Sequence, residues 1–221
     1  MAIPEIGCNF AAESRNRPTF NDSDNSMKSK NQIEKIQAVV LYILKKLPEG
    51  VDYIHLFKMM YFAQQEHLVV YGRPIIDDTF VARKHGPVPT LTYKVLHCVE
   101  GKQQPVTDDL DDFISSVTIG IKDGHQVLQV KGNATPDMDE FSVSDLKVLD
   151  KWIDRCKDVA SFDLADLSHD KAWLKAKRQA ERTGEDTKIP LVDIARAAGA
   201  TDAMAQVIRN RQLNSKELQW T

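Results

Sequence analysis

The segment Phe80–Thr90, FVARKHGPVPT, sets Arg83, Lys84 and His85 beside one glycine and two prolines. Three neighbouring groups able to carry positive charge could grip a phosphate, and His85 could move a proton in acid–base chemistry. Pro87 and Pro89 argue otherwise. Each drives the residue before it, Gly86 or Val88, out of the right-handed helical region. A phosphate cradle is built from consecutive backbone N–H groups, and each proline removes one. The segment therefore reads as a rigid extended corner that fixes the directions of Arg83 and His85, with Gly86 permitting close backbone approach. A preset shape lowers the ordering cost of a contact, so binding suits these residues better than catalysis.

Other chemistry finds little support. His55, His67, His85, His97, His125 and His169 form no H-E-x-x-H and no compact ligand set. His67 falls on an apolar helical stripe and is expected to be a hydrogen-bonded core residue. Cys8, Cys98 and Cys156 are far apart and form no C-x-x-C, which argues for free thiols in a reducing cytoplasm. His97 and Cys98 are adjacent, but neighbours in a helix point about 100° apart and cannot pair as base and nucleophile. The acidic run Asp108–Asp112 lacks the ligand order of a calcium loop and suits a helix start. No G-x-S-x-G elbow, Walker loop or G-x-G-x-x-G occurs. The expectation is a protein that is not an enzyme, with no cofactor and no metal.

A net charge of −3 also lacks the basic excess of a dedicated nucleic-acid binder. The run VDIARAAGATDAMAQVIRNR has the Ala-x-x-x-Gly spacing of a helix-turn-helix and looks like the reader helices of lac-type repressors. Its second helix begins with Ala203, Met204, Ala205 and Gln206, where base readout needs polar donors, and Arg209 and Arg211 lie at the far end. A packed helical hairpin is the favoured reading. Lys171, Lys175, Lys177, Arg178 and Arg182 read as the solvated face of another helix.

The elements that must position the corner follow from periodicity. Ile33, Ile36, Val40, Ile43, Leu44 and Leu47 share one helical sector, stopped by Pro48 and Gly50. Asp52 suits the cap of a second helix that is apolar nearly all round, so this helix is expected at the centre, ending at Gly72 and Pro74. A short helix capped by Thr90 or Thr92 follows the corner. VTIGIKDGHQVLQV alternates about an Asp123-Gly124 turn and predicts a β-hairpin. Ser142 and Asp145 resemble a capping box; Ser168, Pro190 and Thr201 open further helices. The predicted fold is mainly α, several helices around a central buried one with a small β-hairpin or short sheet. A flexible tail is expected over residues 1–30, the domain over 31–212 and a C-terminal tail over 213–221. No apolar run approaches the ~20 residues of a membrane span, and no secretory signal is expected, so the expected location is the cytoplasm.

Several of these stretches together resemble the Panacea domain, the SocA-like or GepA-like family. They are LFKMMYFAQQEHLVVYGRPIIDDTFVARKHGPVPTLTYKVL, DEFSVSDLKVLDKWI, LADLSHDKAWLKA and IPLVDIARAAGA, spanning roughly Asn31 to Asn210. The most specific positions are Tyr61, Gly72, Pro74, Ile75, Ala82, Gly86, Pro87 and Val88, then Leu167, Ser168, His169 and Trp173. Lys84 departs from the aromatic that the family often carries two residues before Gly-Pro-Val, and the first thirty residues lie outside the pattern. The resemblance implies an antitoxin of a type II toxin–antitoxin system from a bacterium or phage, binding a cognate toxin protein directly. Some relatives also act as adaptors that deliver the toxin to a protease. On this reading Arg83, His85, Gly86, Pro87, Val88 and Tyr93 form the partner-binding surface. Tyr61, Gly72, Pro74, His169 and Trp173 support it, with His169 donating to a backbone carbonyl and Trp173 filling the core beneath.

Overall fold

The protein is represented by a computed structural model that describes residues 30–105 and 108–217. The tail expected at 1–30 falls outside these residues except for Lys30. Helix α1 (Lys30–Lys46) buries Ile33, Ile36, Val40, Ile43 and Leu44 as its periodicity requires. Helix α2 (Tyr53–Tyr71) starts on Asp52, whose carboxylate accepts from the His55 N–H, and ends on Gly72 at φ 63°. It is central: Ile54, Leu56, Phe57, Met59, Met60, Tyr61, Phe62 and Leu68 are all buried. An apolar helix surface this wide needs neighbours on several sides, and later elements supply them.

The chain leaves α2 through a loop that Gln64 ties down. Its side-chain oxygen accepts from the Ile75 N–H at 2.9 Å, and its nitrogen donates to the Ile76 carbonyl at 3.0 Å. Strands β1 (Phe80–Arg83) and β2 (Gly86–Pro89) then pair antiparallel, with Arg83 opposite Gly86. The expected corner is thus a hairpin whose tip is Lys84 and His85. The backbone N–H of Ala82 donates to the Thr187 carbonyl and that of Ile189 to the Phe80 carbonyl, so a later segment covers the outer edge of β1.

Helix α3 (Thr90–Val99) corrects a sequence expectation. Neither Thr90 nor Thr92 caps it; buried Asp78 accepts from the N–H groups of Leu91 and Thr92, both at 3.0 Å. Helix α4 (Asp111–Ser116) leads into β3 (Val117–Lys122) and β4 (His125–Val130), which turn at Asp123 and Gly124, both at positive φ. Helix α5 (Val143–Cys156) carries the predicted capping box. Helices α6 (Ser161–Leu167) and α7 (Lys171–Thr183) flank the hairpin. Helices α8 (Leu191–Ala197) and α9 (Asp202–Glu217) form the packed pair, and α9 runs past the boundary drawn at residue 212. Among the described residues no helix is long and apolar enough to cross a membrane.

Candidate functional site

The helical repeat of α2 puts Lys58, Tyr61 and Gln65 on one side, facing the β1–β2 hairpin and the α6–α7 junction. Lys58 is 1% exposed, and its Nζ donates to the Pro87 carbonyl at 2.9 Å. Pro87 and Pro89 leave no N–H groups unpaired on the outward side of β2, a usual role for proline in an edge strand. The carbonyl of Pro87 still needs a donor, and Lys58 is that donor. Burial pushes the Lys58 ammonium down to a pKa of about 7, because nothing compensates the cost of a charge there.

Gly86 completes the fit. It has φ 97°, and a Cβ on it would stand 2.2 Å from Ser168 Oγ and 2.7 Å from Lys58 Nζ. Only glycine allows β2 to lie so close to α2 and to the end of α6. Ser168, fully buried, donates its hydroxyl to the Ala165 carbonyl at 2.6 Å and so closes α6. It does not cap α7, as expected from sequence; Asp170 does, accepting from the Ala172 and Trp173 N–H groups at 2.8 and 2.9 Å. The other oxygen of Asp170 accepts from the Tyr61 hydroxyl at 2.8 Å and from Gln65 at 2.6 Å. Burial first, then the charge of Asp170, raises the Tyr61 pKa and keeps the phenol protonated.

The sequence-predicted surface divides under this geometry. Gly86, Pro87 and Val88 are buried and present no side chain to a partner. Arg83 is half-buried, paired with Asp186 at 2.7 Å and lying 4.7 Å from the centre of the Tyr93 ring. Lys84 is exposed, and His85 is half-buried with its ring edge-on to Phe162 at 6.0 Å. Of the supporting set, Tyr61 and Trp173 are buried as expected. Gly72 passes close to Met204 of α9, while Pro74 is half-buried in the loop that follows.

The expected role of His169 is corrected. Its Nε2 is buried without a hydrogen-bond partner, and its ring stacks on Trp173 at 3.8 Å. The donor to a backbone carbonyl is Trp173, whose Nε1 reaches the Arg83 carbonyl at 2.9 Å and ties α7 to the hairpin.

Two other polar clusters stand apart. Asp52, His55 and Ser161 look like a nucleophile set but are not arranged as one. Ser161 donates to the Asp52 carboxylate at 2.6 Å, and His55 spans from that carboxylate to the Val159 carbonyl. Although burial alone would raise the Asp52 pKa, the His55 contacts and the Ser161 hydroxyl bring it to about 2. The second cluster centres on Asp145, 2% exposed, with Lys35 Nζ at 2.9 Å, His67 Nε2 at 3.0 Å and Arg73 Nη2 at 3.1 Å. Buried His67 also contacts the Arg73 carbonyl at 2.8 Å, which bears out its reading as a hydrogen-bonded core residue. In the helical pair, Arg211 donates to the Tyr71 carbonyl and Arg209 to Gln206. Among the described residues no group of three or more His, Cys, Asp or Glu could hold a metal ion.

Gly86, Pro87 and Ser168, which meet around Lys58, are among the residues on which the family resemblance rests, and they lie in β2 and at the end of α6. A profile of the family described as "Antitoxin SocA-like, Panacea domain" matches residues 56–174. The chain belongs to this family. The match runs from the first turn of α2 into α7, so the Panacea segment contains the hairpin and its bracing helices and stops short of α8 and α9. No curated protein and no solved structure matches the chain. Membership in an antitoxin-like family points to a protein partner such as a toxin.

Lys58, Gln64, Asp78 and Asp170 are the site residues that sequence reasoning missed. A signal existed for the first: Lys58 is a lone cation inside the apolar run YIHLFKMMYF. A long cationic side chain on a helix expected to be buried all round must find an acceptor or lose its charge.

Proposed function

We propose that this Panacea protein is a type II antitoxin that neutralises a partner toxin by direct binding, acting in the cytoplasm and without catalysis. One observation carries the reading. Gly86, Pro87 and Ser168, three of the family's most specific residues, meet Lys58 in a buried lock whose two potential nucleophiles, Lys58 and Ser168, are shut from solvent and donate to backbone carbonyls. Such a site holds a shape and offers no path to a substrate. The shape it holds is the β1–β2 hairpin against α6 and α7, a preset surface of the kind that lowers the ordering cost of association.

The test is co-expression with the protein encoded by the adjacent gene. Growth arrest by that protein alone, relieved when this chain is present, together with a stable complex of the two purified proteins, is the expected result. Relief of growth arrest without a complex would reject direct binding.

A further inference from the structure

We infer that the toxin-facing surface is the outer face of α6 together with the hairpin tip at Lys84 and His85, and that it seats on a toxin surface where basic side chains lie between two apolar pockets. This inference rests on the antitoxin reading above and assigns its surface.

Helix α6 is short, and its inner side is spent on Leu164 and Ala165, both buried. Its outer side carries Phe162 at 51% exposure and Leu167 at 66%, with Asp163 and Asp166 also exposed. Phe162 and Asp166 are an i,i+4 pair, as are Asp163 and Leu167, so two large apolar groups and two carboxylates share one helical face. Exposed apolar residues elsewhere stand singly, as Val143 at 86% does on α5, or six positions apart on the longer α9, as Val207 and Leu213 do, and scattered exposures need no explanation. A repeated apolar exposure on one short helix is different.

The charges indicate what covers this face. The Asp166 side chain is 82% exposed, and the cationic-type group beside it is His169, with Nδ1 at 3.6 Å. Burial outweighs the pull of Asp166 itself and, with the nearby Lys58 and His85, lowers the pKa of that imidazole, so Asp166 faces a largely neutral ring at neutral pH. Asp163 makes no ion pair among the described residues. At 100° per residue the two carboxylates lie between Phe162 and Leu167 on this face, an arrangement that complements a basic patch set between two apolar pockets and steers its approach.

The face is also braced. Phe162 meets His85 edge-on, Ser168 closes α6 through the Ala165 carbonyl, and Trp173 ties α7 to the Arg83 carbonyl. Gly86, Pro87, Ser168 and Trp173 of the family pattern lie behind the face, leaving Lys84, Phe162, Asp163 and Asp166 to choose the partner beside Leu167.

The experiment measures binding of the full chain to the purified product of the adjacent gene, at several salt concentrations. The double variant Phe162→Asp/Leu167→Asp is expected to weaken binding about 100-fold or more, as loss of apolar anchors does. Asp163→Lys/Asp166→Lys should slow association about 10-fold and flatten its salt dependence. Val143→Asp should stay within about twofold of the parent chain, because it lies off the face. Circular dichroism and thermal midpoints are expected to remain unchanged, since the altered side chains are exposed.

Affinity near the parent value for Phe162→Asp/Leu167→Asp would overturn the assignment while leaving the antitoxin reading intact. If that variant misfolds, the carboxylate variant decides alone, and unchanged association and salt dependence would overturn it. A parent chain that neither binds nor rescues would instead remove the antitoxin reading, and the surface with it.

Discussion

Asp145 and Lys58 are both ionisable groups withdrawn from water, at 2% and 1% exposure, and the protein treats them in opposite ways. Asp145 is surrounded by Lys35, His67 and Arg73 and also receives the Ser142 N–H at 3.0 Å. Burial would raise its pKa, but contacts from His67, Lys35 and the Ser142 backbone hold it well below the usual carboxylate range. Lys58 has the carbonyl of Pro87 and no carboxylate, and burial brings its pKa down to about 7. A buried charge persists where opposite charges and hydrogen bonds offset its desolvation, and is given up where a carbonyl is all that is offered. The first arrangement joins α1, α2 and α5 as an ionic hub. The second joins α2 to the hairpin with an amine that sheds its proton near neutral pH.

The contrast breaks most clearly at the hub. Asp145→Ala leaves three cationic-type groups facing a vacated centre, and a loss of about 3–5 kcal/mol is expected in urea unfolding. A loss below about 1 kcal/mol would show that the hub groups escape to water without penalty. At the lock, Gly86→Ala adds a Cβ into space held by Ser168 and Lys58 and places a side chain at φ 97°. A loss of about 1–3 kcal/mol is expected from the backbone conformation alone. Adding Ser168→Gly should recover the part of the loss due to the Ser168 hydroxyl and leave the parts due to Lys58 and the backbone.

The smallest effect is the most specific to Lys58. Its folded-state pKa of about 7 lies below its ordinary value of 10.5. Between those values the unfolded chain binds a proton there that the folded chain refuses, so this group makes stability rise with pH across that window. Lowering the pH through about 7 charges the buried amine and brings in the full penalty. Lys58→Met removes the dependence and leaves the Pro87 carbonyl without its donor, a cost of about 1–3 kcal/mol. The variant should therefore fall furthest below the parent near pH 10 and gain on it as the pH falls toward 7. Parallel stability curves would show that Lys58 keeps its charge when buried.

The hub and the lock were not equally legible in the sequence. Half of the hub could be read: Ser142-x-x-Asp145 announces a capping box, and His67 sits on an apolar stripe. Lys35 and Arg73 could not be assigned to it, because they approach from α1 and from the loop after α2. The helices, the second hairpin and the central place of α2 followed from periodicity and turn residues, which are local signals. The lock needed long-range pairing. Gly86-Pro87-Val88 reads as a stiff exposed corner when its own residues are considered, yet Lys58 and Ser168 both pack against it. Ser168 and Asp170 serve equally well as helix caps in the local sequence, and only their placement in space favours Asp170. Asp78 was missed for the same reason: its carboxylate caps α3 from across a strand pair that local patterns do not reveal.

The segment Thr187–Ile189 lies beyond the residues that match the family, and its hydrogen bonds to Ala82 and Phe80 occupy the free edge of β1. A fragment trimmed at residue 174 would present that edge with its amides and carbonyls open, a ready template for another chain to add on. Self-association of such a fragment would reflect the cut and say nothing about the oligomeric state of the intact chain, so expression boundaries belong after Ile189.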